Sequence, residues 1–510
     1  MNPTAKPPEI TVADVAARGM AWLFGQTVVT KLVNLAGQVA LACLLAVEDF
    51  GLVALAYLSG IIAGVLGQAG LREVLVRRHR RFNLWANPAF WMSVCFGLGG
   101  LAVMVLSAPL FAWIFDERQL LVMILILSVP VLVDRLSTVP LSLLQAQMRF
   151  RMVATIGLVG NVGQMVLTVV FAWLGCEAYS FIWSRLIMAV MLTAVYWTVA
   201  RVPVRLDLQL RRWRYLICDT GLVFVSTLLS MAVQQGDYLV LGLMFSKGVV
   251  GLYFFAFNLS SQTAFFFLSN LGHILFPALS NIDDPQRQTA AFLRASRLTA
   301  LVAMPLCCLQ AALADPVFRV LFDPKWVGAI PLMQVLSLAM IGRMLGWQAT
   351  HLIKARGRFD IFLKLMVVFT ATFFALVILG AWWAGAFGVA VAAAVHFTIS
   401  GLVNLYVAIR PTGAGWRDLY RVLVPPSAAA GLSVGAAAAA AELLPQVDGR
   451  DWLRIGVICL VSAVLGISLI WWFAGDDCRD LIERVRQASG NLGVGLSDRS
   501  KRHEDVSEVV

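Results

Sequence analysis

The feature that most restricts this chain is a succession of apolar runs, each near the ~20 residues that an α-helix needs to cross a bilayer. Inside lipid every backbone N–H and C=O must be satisfied within the chain, so such runs fold as helices. Hydrophobic residues make up 60% of the 510 positions and charged residues only 14%, against roughly 45–50% apolar in ordinary domains. These values exclude an ordinary soluble enzyme and predict an all-α polytopic membrane protein. Fourteen spans are expected, near residues 19–46, 50–72, 87–108, 118–147, 152–174, 178–200, 215–245, 249–276, 297–315, 327–352, 361–382, 386–409, 418–443 and 452–474.

Charge placement gives this map an orientation. Alternate connections carry basic clusters, among them Arg77, Arg78, Arg80 and Arg81, then Arg201, Arg205, Arg211 and Arg212, then Lys354, Arg356 and Arg358. The opposite connections carry only Arg118, Lys247, Arg319, Lys325, Arg450 and Arg454. Basic loops stay in the cytoplasm, so both termini are expected there. The net charge of +11 then belongs to loops facing membrane lipids, and no nucleic-acid partner is expected. Met1–Arg18 is polar and lacks the apolar core of a secretion signal. The eight cysteines are scattered and lack metal-ligand spacing; they read as packing residues. Tryptophans such as Trp113, Trp173, Trp326, Trp382 and Trp452 fall near span ends, as an aromatic belt requires.

Within the first span, Thr27, Lys31, Asn34 and Gln38 recur three to four residues apart, which places them on one helix face. A lysine mid-span costs roughly 2.5–3.5 kcal/mol in lipid on insertion scales, so this face meets protein or a water-filled cavity. It is either a seam between helices or the wall of a solute path. Shifted by 200 residues without a gap, Gln26–Ala56 lies on Ser226–Ala256: Thr27 meets Thr227, Asn34 meets Gln234, and Gly51-Leu52 meets Gly251-Leu252. At a shift of 209, Leu143–Phe150 lies on Leu352–Phe359. Two parallel repeats of this kind are a transporter pattern. The predicted organisation is therefore a cytoplasmic segment 1–18, a first lobe 19–200, an interfacial linker 201–214, a second lobe 215–409, two further helices within 410–474, and a charged cytoplasmic tail 475–510.

No nucleophile elbow, P-loop or His/Cys cluster occurs, so no enzyme activity and no bound cofactor are expected. The chemistry-bearing candidates are intramembrane charges: Lys31, Arg135, Arg185 and Arg343 against Asp134 and Asp237. The excess of cations fits an anionic substrate, and the competing account is internal ion pairs that fix packing. Asp237 follows Ser230 and Gln234 at helical spacing and is the candidate for H+ or Na+ coupling. His396 reads as a core histidine.

Several motifs resemble one family. Phe50-Gly51-Leu52, Gly70-Leu71-Arg72 and Leu144-Gln145 with Met148-Arg149-Phe150-Arg151 match its first-half pattern. Asp237 with Gly242, Gly251-Leu252-Tyr253, Phe276-Pro277-Ala278-Leu279-Ser280, Lys325-Trp326, Ala329-Ile330-Pro331 and Ala355-Arg356-Gly357-Arg358 match the second. Over residues 15–410 the chain resembles the polysaccharide-transporter flippases of the multidrug/oligosaccharidyl-lipid/polysaccharide exporter superfamily. It departs from the pattern at Asp323-Pro324, where glycine is usual before the Lys/Trp pair. The resemblance implies two six-helix lobes forming a V, with spans 1, 2, 7 and 8 lining a central cavity. It implies as substrate an undecaprenyl-diphosphate-linked oligosaccharide, moved from inner to outer leaflet, with polymerase and co-polymerase as protein partners. Thr27, Lys31, Asn34, Gln38, Gln234, Arg135 and Arg343 are the expected cavity residues. A multidrug exporter and a lipid II flippase of the same superfamily are the alternatives, and a scaffold without transport is a third.

Overall fold

A computed structural model of the chain describes residues 12–67, 75, 82–147, 149–202, 213, 221–280, 282–444, 450–469 and 471–472. Their regular structure is helical throughout: α1 (Val12–Leu44), α2 (Val47–Gly67), α3 (Phe82–Ile114), α4 (Arg118–Leu136), α5 (Thr138–Ala146), α6 (Phe150–Trp173), α7 (Tyr179–Ala200), α8 (Gly221–Met244), α9 (Lys247–Ser280), α10 (Pro285–Leu321), α11 (Ile330–Ala355), α12 (Phe359–Ile409) and α13 (Trp416–Glu442). A last apolar helix, α14, covers Arg450–Leu469. Among the described residues, ten helices are long and apolar enough to cross a membrane. The basic loop at Arg77–Arg81, most of the linker and the charged tail lie outside the described residues.

Local chemistry explains where helices bend. Pro140 has no N–H to offer the Leu136 carbonyl, and the helix breaks at Ser137 between α4 and α5. The carbonyls freed there find side-chain donors, as lipid surroundings demand. The Trp197 indole donates to Leu136 O (3.1 Å), Ser93 Oγ to Arg135 O (3.1 Å) and Thr193 Oγ1 to Val133 O (3.2 Å). In α12 the break falls at Ala384-Gly385, where Gly385 takes φ +59°, a conformation that suits glycine. This is the predicted boundary between spans at 382 and 386. At the start of α10, Asp284 Oδ1 accepts the Gln286 amide (3.0 Å) and caps the helix. The helix then continues unbroken through the separately predicted span 297–315.

The helices form two compact units, one of residues 1–281 and 314–408 and the other of 282–313 and 409–510. In the first, α2 is apolar on every side from Phe50 to Ala56, and that whole stretch is buried. It packs against α3, α4, α8 and α9, while α1 packs on α6 and α9 on α11. In the second unit, Ala437, Ala441 and Ile458 form a small core against Leu309, Ala312 and Leu313. Arg454 of α14 pairs with Glu442 of α13 there (2.6 Å).

Both sequence repeats have structural counterparts in the first unit. Arg149 N–H donates to Leu144 O (3.0 Å), and Arg358 N–H to Ile353 O (3.2 Å). Gln147 N–H likewise donates to Leu143 O, and Arg356 N–H to Leu352 O. The 209-residue echo is thus one helix-ending turn built twice. The 200-residue echo is a crossing of α2 and α9. A Cβ on Gly51 would lie 1.9 Å from Lys247 O, and a Cβ on Gly251 would lie 2.0 Å from Val47 O. Each glycine admits the carbonyl four residues before the other, so two backbones touch where two side chains would forbid it.

Two expectations need correction. Trp326 is not a belt residue: it is fully buried, tilted against Phe255 with ring centroids 4.2 Å apart and edge-on to Phe50. The cysteines are not all packed, because Cys43, Cys95 and Cys459 are exposed on apolar helices. A thiol behaves there as a small hydrophobe that lipid can cover.

Candidate functional site

The end of the first unit where α1 turns into α2 is closed by contacts reaching across the sequence. Trp326 Nε1 donates to Ala42 O (3.0 Å), and Lys325 Nζ to Leu45 O (2.8 Å). Lys247, in the first turn of α9, pairs with Glu117 before α4 (2.6 Å). Together with the Gly51–Gly251 crossing these bonds clamp the two repeats at one end.

Away from the clamp, the predicted site residues fall into three places. The first is the polar stripe of α1. Leu32 and Leu35 are exposed on its outer side, while Lys31 is half-buried and donates through Nζ to Gln262 Oε1 of α9 (2.7 Å). Lys31 therefore bridges the two repeats. Thr27, Asn34 and Gln38 are half-buried beside it, and Gln38 Oε1 finds no hydrogen-bond partner among the described residues.

The second place is inside the first repeat. Asp134 pairs with Arg185 of α7, and Arg135 lies in the field of both charges. This much of the charge is an internal pair, as the competing account proposed. Gly97 provides room for Arg135, since a Cβ there would meet its Cγ at 3.0 Å.

The third is a cavity of about 390 Å³ inside the second repeat. α8 contributes Ser230 and Gln234, α11 contributes Arg343, Gly346, Trp347 and Thr350, and α12 contributes Phe369, His396, Phe397, Ser400 and Asn404. Gln234 and Arg343, expected on a central cavity between the lobes, lie together on the wall of this cavity inside the second repeat. The Arg343 guanidinium lies over Phe257 (5.4 Å) and Phe397 (5.1 Å) and is attracted to Asp237. Asp237 itself is not on the cavity wall. It is 1% exposed and accepts from Tyr253 OH (2.8 Å) and Tyr238 N–H (3.0 Å).

Sequence reasoning did not find Gln262, Trp347, Ser400 or Asn404. A signal existed, because His396, Ser400 and Asn404 follow one another at intervals of four and share a helix face. Among the described residues, no group of three or more His, Cys, Asp or Glu could hold a metal ion.

This helical architecture is a fold found in solved membrane-transport proteins. It matches the lipid II flippase MurJ in an inward closed conformation at TM-score 0.70, with 13% identity, 90% of this chain and 99% of that one. It also matches an inward-facing multidrug MATE transporter of the MOP superfamily at TM-score 0.58, with 15% identity, 76% of this chain and 96% of the other. The chain belongs to the polysaccharide biosynthesis protein family, whose profile covers residues 40–331. Among its relatives, the lipopolysaccharide biosynthesis protein WzxC of Escherichia coli K12 is 23% identical over 78% of this chain and 82% of its own. The teichuronic acid biosynthesis protein TuaB of Bacillus subtilis is 19% identical over 78% and 84%. The succinoglycan biosynthesis transport protein ExoT of Rhizobium meliloti is 25% identical over 59% and 61%.

Proposed function

We propose that the protein is a flippase that carries lipid-linked oligosaccharide repeat units across the inner membrane for polysaccharide assembly. The observation that carries this reading is the family match combined with the fold. A chain from a polysaccharide biosynthesis family, with a relative named as a transport protein, has the architecture of a lipid flippase. Transport proceeds by alternating access. The clamp at Gly51–Gly251 closes the outer end, and the Lys31–Gln262 bridge marks where cargo parts the two repeats. Lys31 meets the diphosphate, with Arg135 as a further cationic contact, while a polymerase receives the unit outside. A multidrug exporter shares the fold, but a cationic path suits an anionic lipid better than cationic drugs. Deleting the gene should remove surface polymer and leave lipid-linked repeat units in the inner leaflet. Normal polymer in the deletion strain would overturn the reading.

The fourteen-span topology places both termini in the cytoplasm and Glu48, Glu177 and Asp448 outside. Single cysteines at those positions, in a chain without its native cysteines, should react with an impermeant thiol reagent from outside. Labelling of Arg78→Cys or Arg212→Cys from that side would show the topology to be wrong.

Coupling is assigned to Asp237. It lies beside Arg343, so protonation or sodium binding at its carboxylate changes the field on the cavity wall. Asp237→Asn should abolish the dependence of transport on an ion gradient. Transport that keeps its gradient dependence in this variant would remove Asp237 from the coupling step.

A further inference from the structure

We propose that the cavity inside the second repeat is a saccharide subsite that takes one uncharged sugar residue. This rests on the flippase reading for its biological source, an end residue of the oligosaccharide, but its chemistry is read from the cavity itself. A volume of about 390 Å³ is within the range of roughly 300–1,000 Å³ for small-molecule pockets and far exceeds what a bare ion fills.

The wall selects among ligand classes. Asn404 is 5% exposed, and its Oδ1 has no hydrogen-bond partner among the described residues. A buried acceptor left unmet is costly, so a ligand there must donate. Neither a phosphate dianion nor a carboxylate can do so. Cations are opposed by Arg343, which with His396 completes the ionisable groups on the wall. The Arg343 guanidinium is itself engaged, lying over the Phe257 and Phe397 rings and attracted to Asp237.

What remains is a group that both donates and accepts and that carries an apolar face. Paired ring hydroxyls fit the two ends of the Asn404 amide, one donating to Oδ1 and the other accepting from Nδ2. Gln234 and Ser400 add further polar contacts at the rim. Trp347 is 39% exposed and, with Phe369 and Phe397, gives an aromatic wall for the C–H face of a sugar. At the matching place in the first repeat, Asp134 and Arg185 form an ion pair.

The test is saturation-transfer NMR on the full chain in nanodiscs, using free galactose, N-acetylglucosamine, glucuronate and inorganic diphosphate as probes. A neutral sugar should receive saturation and should not be displaced by diphosphate. Its binding should weaken about tenfold in Asn404→Leu, which removes the amide. Ser400→Leu narrows the cavity without touching the amide, and it should weaken the sugar similarly in a normally folded protein. Absence of signal from every neutral sugar overturns the subsite. So does binding of glucuronate or diphosphate alone, and so does unchanged sugar binding in both variants. Polymer loss on gene deletion without sugar binding sinks the subsite alone. Sugar binding without any polymer phenotype sinks the flippase reading alone.

Discussion

Replacing Lys31 with alanine should abolish polymer export while protein levels stay normal and lipid-linked repeat units accumulate in the inner leaflet. The reasoning is electrostatic. A diphosphate moving through a low-dielectric path needs compensating charge, because a buried ion without a partner is prohibitively costly. Removing one member of a buried pair costs about 3–5 kcal/mol, which corresponds to a loss of at least about a hundredfold. Lys31 already extends to the second repeat, where its ammonium group is held by the neutral amide Oε1 of Gln262 at 2.7 Å. An amide oxygen is a weaker partner than a phosphate, so cargo can replace it. Lysine contacts phosphate as a point charge, and arginine keeps that charge with a different shape. Lys31→Arg should therefore retain part of the export. Surface polymer and lipid-linked intermediates measured together decide the matter. Normal export by both Lys31→Ala and Lys31→Gln would make the α1 stripe a packing seam.

The second large effect is expected at the clamp. Gly51→Val places a Cβ where Lys247 O now lies 1.9 Å away. Both atoms at fault are backbone or branch directly from it, so no rotamer change relieves the clash. Overpacking of this kind typically costs 1–3 kcal/mol, and more where backbone must move. The repeats must separate at this end, which disrupts the Trp326–Ala42 and Lys247–Glu117 contacts. Export should be lost. A cysteine at Ala42, buried in the parent, should become reactive to an impermeant thiol reagent from outside. Continued export with an unreactive Ala42→Cys would show that the crossing does not hold the clamp shut.

Much of the architecture was legible because lipid simplifies the problem. Apolar runs act locally, and the boundary expected between 382 and 386 falls at the Ala384-Gly385 break, whereas the bend at Ser137 before Pro140 interrupts a span expected to run unbroken from 118 to 147. The repeats were legible because the same backbone turn needs the same residues twice. Placement of the charges was harder. Ser230, Gln234 and Asp237 follow helical spacing, yet Ser230 and Gln234 line the cavity while Asp237 is sealed against Tyr253. Periodicity gives an angle around the axis, whereas seven residues also advance about 10.5 Å along it, to a level where α9 covers the helix. The Lys31–Gln262 bond joins residues 231 apart in sequence, and Trp326 reaches Ala42 across 284. No local pattern encodes such pairings. His396, Ser400 and Asn404 did share a visible stripe, but an isolated histidine among alanines reads as core until the cavity beside it is known.

The reciprocal crossing also constrains how the two repeats can diverge. Gly51 and Gly251 each accommodate a carbonyl belonging to the other's helix, so neither position keeps its reason to be glycine once the other has changed. Over the rest of their length the repeats have been free to differ, one pairing Asp134 with Arg185 and the other setting Arg343 on a cavity wall. At the crossing their histories remain tied. In an aligned family, the two columns should change in concert, and a descendant that has lost one glycine should have lost the second and rebuilt the closing contact from side chains.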